Sequence, residues 1–360
     1  MLSSVYIYTA FLFFFVGSLS LINSQYLKYL LLCILIFSIQ IIAGLRFFSD
    51  ADYKNYIEIY DAIPYLSDFS ILSVSHIHGE IGFLFFISIV KSIFNHPAFF
   101  FIIFTTISFV LKLKFFKAST KEFLLAYCIY LCYFFYQYEF IQIRMGVMIG
   151  FVALALLNIK SNKFYIFIFI GSMFQKLALL FVSVKFLIKQ KNLTIFIFTV
   201  ISISTGTFLS FPKIIDFING GYNSPFYHII YNYANNPLYS SSVSIFQFIP
   251  LRHLLVFLLT SYFIFNNNRN EQYEYIWKVY CIGIILSFPF LSVEIFFTRI
   301  ISVLDLVEPL LLLMTINIYF SKNKNILKII YLLFSVLFLV YSVIHSNGIY
   351  NYNNWLGLYL

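Results

Sequence analysis

Apolar residues in this chain run in continuous stretches rather than in strict alternation. Stretches of roughly 15 to 25 such residues recur along the whole length, and a bilayer core of ~30 Å needs about 20 of them per helix. Inside lipid only helices and closed barrels satisfy their backbone polar groups. A barrel would alternate, so the pattern predicts helices. Spans fall near 2–22, 27–45, 81–111, 122–139, 142–159, 163–187, 193–211, 250–266, 276–294, 298–320 and 326–346. The fold class is all-α. It is a polytopic integral membrane protein of about 11–13 transmembrane or re-entrant helices, with residues 1–360 forming a single integral membrane domain.

Two stretches depart from simple crossings. Segment 163–187 joins two basic clusters, so one ordinary crossing would put them on opposite sides. A re-entrant pair of half-helices, broken near Gln175–Lys176, resolves this, because polar residues at membrane depth are tolerated where they line a cavity. Segment 81–111 is interrupted at Asn95-His96-Pro97.

Composition agrees: 61% of residues are hydrophobic and 10% charged, against about 25% charged in a soluble domain. The net charge of +9 is topological rather than a nucleic-acid footprint. Lys and Arg gather in short loops that the positive-inside rule places in the cytoplasm. These are Lys112, Lys114, Lys117 and Lys121; Lys160 and Lys163; Lys185, Lys189 and Lys191; Arg269 and Lys278; and Lys322, Lys324 and Lys328. Loops 46–80 and 212–249 then lie outside the cytoplasm, as does the tail from 347. The larger of them, 212–249, is long enough to carry structure of its own. Cys33, Cys128, Cys132 and Cys281 sit inside apolar runs and read as small buried hydrophobes. The first run lacks a basic leader and reads as a retained span.

Charge near the membrane interior is expensive, so the charges that remain are informative. Arg46, Asp50, Asp52, Tyr53 and Tyr56 cluster just after the second span. They read either as a site or as an interfacial loop with a snorkelling arginine and belt tyrosines. Glu80 opens the next run as Glu80-Ile81-Gly82-Phe83, with His76 and His78 upstream; that spacing is weak evidence for a metal. Gln142-Ile143-Arg144 begins another span. Gln175 and Lys176 interrupt an apolar stretch, where a lysine favours a cavity lining. Arg252-His253 starts a later span. Glu294 and Arg299 flank a short turn, with Asp305 and Glu308 deeper; Asp305 could pair with another helix. With the basic loops inside, Arg46, Arg144, Arg252 and Arg299 all fall on the opposite face. Arginines against the positive-inside rule suggest an anionic ligand, and a lipid pyrophosphate suits their donor forks.

The same residues resemble a family, the EpsG-like branch of the Wzy-type polysaccharide polymerases. Gly44-Leu45-Arg46 followed by Asp52-Tyr53-x-x-Tyr56 is similar to its first-loop pattern. Glu80-x-Gly82-Phe83 is similar to its Glu-x-Gly-aromatic helix start. Arg144 and Arg299 stand where the family has arginines. Two positions depart: Met145 follows Arg144 where the family has Gln, and Phe174-Gln175-Lys176-Leu177 stands in place of Phe-His-x-Ser, so Gln175 is the positional match to that His.

The resemblance implies a multi-pass enzyme of the bacterial inner membrane. It would transfer a glycan from undecaprenyl pyrophosphate to a lipid-linked repeat unit, using neither metal, cofactor nor nucleotide. Arg46, Arg144 and Arg299 would clamp the pyrophosphate or substrate. Asp52, then Asp50 or Glu80, would take the acceptor proton. Tyr53 and Tyr56 would meet sugar rings, and Gln142, Gln175, Lys176 and Arg252 would add substrate contacts. The partners implied are undecaprenyl-pyrophosphate-linked oligosaccharides and membrane lipid; a chain-length regulator is left open. Two rivals stand beside it. A flippase of lipid-linked oligosaccharide should carry internal repeats, and none is visible. Another membrane glycosyl- or acyltransferase of the same pathway is the second; an acyltransferase would want a catalytic His, for which His253 is best placed.

Overall fold

A computed structural model describes residues 4–208, 242–267, 270–346, 348–349 and 351–355. Most of the expected loop 212–249 lies outside the described residues; only 242–249 are included. The described structure is helical, with two isolated β-bridges as its only extended pairing. The chain divides into two compact units, Met1–Val182 with Lys322–Leu360, and Ser183–Ser321.

The first unit holds α1 (Ser4–Leu19), α2 (Gln25–Ile39), α3 (Tyr53–Ala62), α4 (Ile81–Ile93), α5 (Pro97–Ser119), α6 (Phe123–Phe134), α7 (Ile143–Leu157), α8 (Lys163–Ser172) and, from the far end of the chain, α15 (Lys324–His345). Between them, α9 (Val182–Leu187) leads into the second unit, which holds α10 (Asn192–Phe208), α11 (Phe248–Asn267), α12 (Glu271–Ser287), α13 (Glu294–Leu304) and α14 (Glu308–Tyr319). Six helical stretches among the described residues are long and apolar enough to cross a membrane: Gln25–Gly44, Pro97–Ser119, Phe123–Ile141, Phe248–Asn266, Glu294–Tyr319 and Lys324–His345. Five shorter apolar helices accompany them. This is a polytopic, all-α membrane protein.

Local chemistry explains the ends. Ser24 accepts from the Leu27 N–H and Asn270 from the Tyr273 N–H, each satisfying an orphan donor of a first turn. The expected interruption of 81–111 falls at 94–96, where His96 caps α5 and Pro97 occupies its first turn. In the first unit α6 is central, packed by α1, α5 and α15, while α7 packs between α5 and α8. Phe100, Phe101 and Phe104 are wholly buried on α5. Phe37 and Phe334 point outward, as lipid-facing positions do.

Two lysines assigned above to cytoplasmic loops belong elsewhere. Lys112 lies within α5, wholly buried, where it pairs with Glu139 and donates to Ser108 Oγ at 2.8 Å. Lys328 lies within α15, buried, and pairs with Glu122. Each is matched by a carboxylate over 20 residues away in sequence. The break read at Gln175–Lys176 is present. α8 ends at Ser172, the chain turns, and a 3₁₀ segment Lys176–Phe181 follows. This segment packs back on α8.

Candidate functional site

Loop 45–52 is built around Arg46. The last turn of α2 widens into a π-helical turn, Gln40–Gly44, which delivers Arg46 to the interior. Its Nε donates to Asp50 Oδ2 at 2.7 Å and its Nη1 to the Ala43 carbonyl at 2.7 Å. The guanidinium lies over Phe101 at 4.3 Å and Phe140 at 5.2 Å. Nη2 finds no hydrogen-bond acceptor among the described residues. Asp50 Oδ1 accepts the Asp52 N–H at 3.0 Å. Burial raises the Asp50 carboxyl above its usual range, and Arg46 beside it draws it back only in part. Phe48 adopts the left-handed region at φ 46°, a costly backbone for a bulky side chain, in the middle of this tight turn.

Residues 348–355 fasten the loop. Phe47 N–H donates to the Asn353 carbonyl at 2.9 Å, Ala51 N–H to Gly348 at 3.0 Å, and Trp355 N–H to Leu45 at 2.9 Å. Ser49 Oγ bonds both the carbonyl and the N–H of Asn353 at 2.9 Å. The Trp355 ring packs on Phe47 and His96. No local pattern in the sequence signals this strap; it depends on pairing across some 300 positions.

Tyr53 and Tyr56 start α3 and turn inward. Tyr53 stacks on Phe101 at 5.0 Å, and Tyr56 packs among Phe83, Phe100 and Phe101. Both are buried, so their rings pack in the core and are not presented to a sugar. Burial raises both phenols, Tyr56 to about 12. Asp52, half-buried at the head of α3, is the more accessible of the loop's two carboxylates.

The second constellation lies in the same unit. Glu80 precedes α4, Arg144 sits in the first turn of α7, and Lys176 follows the turn after α8. Arg144 Nη1 donates to Glu80 Oε2 at 3.1 Å, with side-chain exposures of 20% and 16%. The Lys176 N–H donates to Glu80 Oε1 at 3.4 Å. The guanidinium lies 5.1 Å over the Phe83 ring. The sequence Glu80-Ile81-Gly82-Phe83 accounts for this geometry residue by residue. A Cβ on Gly82 would collide with Met173 Cβ and lie 2.9 Å from its carbonyl, so only glycine lets the turn after α8 come this close. The Phe83 N–H then donates to the Met173 carbonyl at 2.9 Å. Gly146 does the same for α7: a Cβ there would strike the Tyr138 carbonyl. Gln142 and Gln175, both half-buried, flank this region at the start of α7 and in the turn; Lys176 is exposed. His76 and His78 are exposed, and Glu80 faces Arg144.

The second unit holds a buried cluster. Arg252 Nη2 is 3.4 Å from Asp305 Oδ2 and its Nε 3.4 Å from Glu308 Oε1. His253 Nε2 is 3.3 Å from Asp305 Oδ1, and Nδ1 is 2.8 Å from Tyr280 Oη. Asp305 thus pairs with another helix, as its position suggested. His253, Asp305 and Glu308 bring ligand atoms within 4.8 Å of one another, a donor set suited to a divalent cation. The Arg252 guanidinium already faces both carboxylates, which lowers the charge available to such an ion. Arg299 stands apart on α13, half-buried and with no ion pair to a described residue; Glu294, on the same helix, does not meet it.

A helical, multi-pass membrane protein with an accessible arginine–carboxylate constellation is the class these observations define. Residues 29–354 match the model of the EpsG family, and the chain belongs to that family. Membership supports a membrane function of the polysaccharide-polymerase kind, glycosyltransferase-like in general terms. No curated protein and no solved structure matches the chain.

Proposed function

We propose that this chain is a polysaccharide polymerase of the bacterial inner membrane. It transfers a glycan from undecaprenyl pyrophosphate to a lipid-linked repeat unit at the outer face. The observation that carries this reading is the Arg144–Glu80–Lys176 constellation, in which one carboxylate accepts from a guanidinium with solvent access and from the backbone N–H of Lys176, whose side chain is exposed. Arg144 offsets the Glu80 charge, and the exposed Lys176 of the same turn adds a second cation for a departing lipid pyrophosphate.

The leaving group is already good, so charge neutralisation matters more than protonation. Arg144 and Lys176 supply it, with Gln142 and Gln175 as neighbouring polar contacts. The acceptor hydroxyl gives its proton to a carboxylate as its oxygen attacks the anomeric carbon and the bond to pyrophosphate breaks. Asp52 takes that role, since Asp50 is locked to Arg46. Arg46 has no exposed surface and acts on substrate only by fixing the loop that carries Asp52. Among the described residues of the second unit, Arg299 is the arginine left available to an anionic ligand.

The test is the surface glycan ladder of a strain lacking the gene, complemented with wild type, Arg144→Ala or Asp52→Asn. Collapse to core plus one repeat unit, rescued by wild type and by neither variant, is the expected result. An unchanged ladder in the deletion strain sinks the polymerase reading. Complete loss of surface glycan points instead to translocation.

A further inference from the structure

Of the two arginines in the first unit, Arg144 is the one with solvent access, yet it is already paired. Both oxygens of Glu80 accept donors there, one from the guanidinium and one from the Lys176 N–H. A carboxylate so held occupies the donors that an anionic ligand would use. Any incoming anion must displace it and then tolerate its charge nearby.

Resting on the reading above, we propose that Glu80 is a specificity-determining residue: it makes the site select a pyrophosphate over a single phosphate. The membrane presents a large excess of singly charged phosphodiesters in its own headgroups. Such a group brings no more charge to Arg144 than Glu80 does, so it gains nothing by displacing the carboxylate. A pyrophosphate diester brings two charges and oxygens enough to reach both Arg144 and the Lys176 N–H that Glu80 now occupies, and attraction grows with each charge. Glu80 therefore shields Arg144 from bulk lipid and yields to the lipid pyrophosphate. When the product is ready to leave, the same carboxylate competes for the guanidinium and favours release.

The backbone supports a clean test. The Phe83–Met173 hydrogen bond and the Gly82 contact tie α4 to the turn after α8 without the carboxylate. Glu80→Gln therefore removes charge while keeping shape. The full chain, in nanodiscs of phosphatidylcholine, is titrated calorimetrically with inorganic pyrophosphate and with dimethyl phosphate, a singly charged phosphodiester. Wild type should prefer pyrophosphate, and Arg144→Ala should bind neither. Glu80→Gln should bind dimethyl phosphate about tenfold tighter, the factor carried by ~1.4 kcal/mol, with a smaller gain for pyrophosphate, so that the preference narrows. Phosphatidylglycerol added to the nanodisc should depress pyrophosphate binding in Glu80→Gln more than in wild type. Glu80→Asp keeps the charge and should keep the preference. Unchanged or weaker binding of both anions by Glu80→Gln, or equal narrowing in Glu80→Asp, overturns the inference alone. A wild type that binds neither anion overturns it together with the pyrophosphate reading of the site.

Discussion

Two arginine–carboxylate pairs in the first unit use the same functional groups for different ends. Arg46–Asp50 is short, at 2.7 Å, and neither side chain has exposed surface. Aromatic rings cover the guanidinium, and the chain from 348 to 355 closes over the loop. Arg144–Glu80 is longer, at 3.1 Å, and both groups retain about a fifth of their surface or slightly less. A buried pair with no opening to solvent organises backbone; a partly open one can exchange its partner for a ligand. Access, rather than charge, separates a scaffold from a candidate site.

Four measurements can break or sharpen that contrast. The largest effect is expected from Arg46→Ala, which strands Asp50 in the interior; breaking a buried pair this way costs about 3–5 kcal/mol. Thermal unfolding in detergent should show a large drop, and a variant as stable as wild type would remove the scaffold role. Arg144→Ala should leave the unfolding midpoint nearly unchanged while transfer falls about 10²–10³-fold, as when one donor to developing negative charge is lost. A midpoint drop comparable to that of Arg46→Ala would erase the distinction between the pairs. Gly82→Ala forces Met173 away and should destabilise by about 1–3 kcal/mol, the usual cost of overpacking. It should also reduce glycan output, because the Lys176 N–H moves off Glu80. Smallest, and seen as a loss only at alkaline pH, is the contribution of Tyr56. Its phenol is raised by burial from 10.0 to about 12, so the fold holds that proton more tightly than the unfolded chain does. The stability this brings is complete below pH 10 and disappears as pH rises towards about 12. Tyr56→Phe should flatten that alkaline loss in a pH series of unfolding midpoints.

The features legible in sequence were those with local causes. Continuous apolar runs specified helices, Pro97 marked the entry to α5, and Gln175–Lys176 marked the turn after α8. Glu80-x-Gly82-Phe83 pointed to a helix start, and Gly82 proved to be the place where two backbones touch. What stayed hidden depended on distant partners. Lys112 looked like a loop marker because its counter-charge, Glu139, lies 27 residues away. Arg46 and Arg144 looked equivalent because nothing near either one in sequence reports burial. Arg252 looked like an anion clamp, since Asp305 and Glu308 join it only in three dimensions. Tyr53 and Tyr56 looked like sugar platforms, because a helix start does not reveal which way its first rings turn.

The strap of residues 348–355 imposes an order on biogenesis. Ser49 is translated 304 residues before its partner Asn353. Throughout that interval the first loop waits without its closing segment, while the helices from α3 to α15 are made. The loop that carries Arg46, Asp50 and Asp52 is therefore made some 300 residues before it is completed. A chain cut short before residue 348 would carry every helix from α1 to α15 and still leave the loop open, because the bonds from Gly348, Asn353 and Trp355 would be missing.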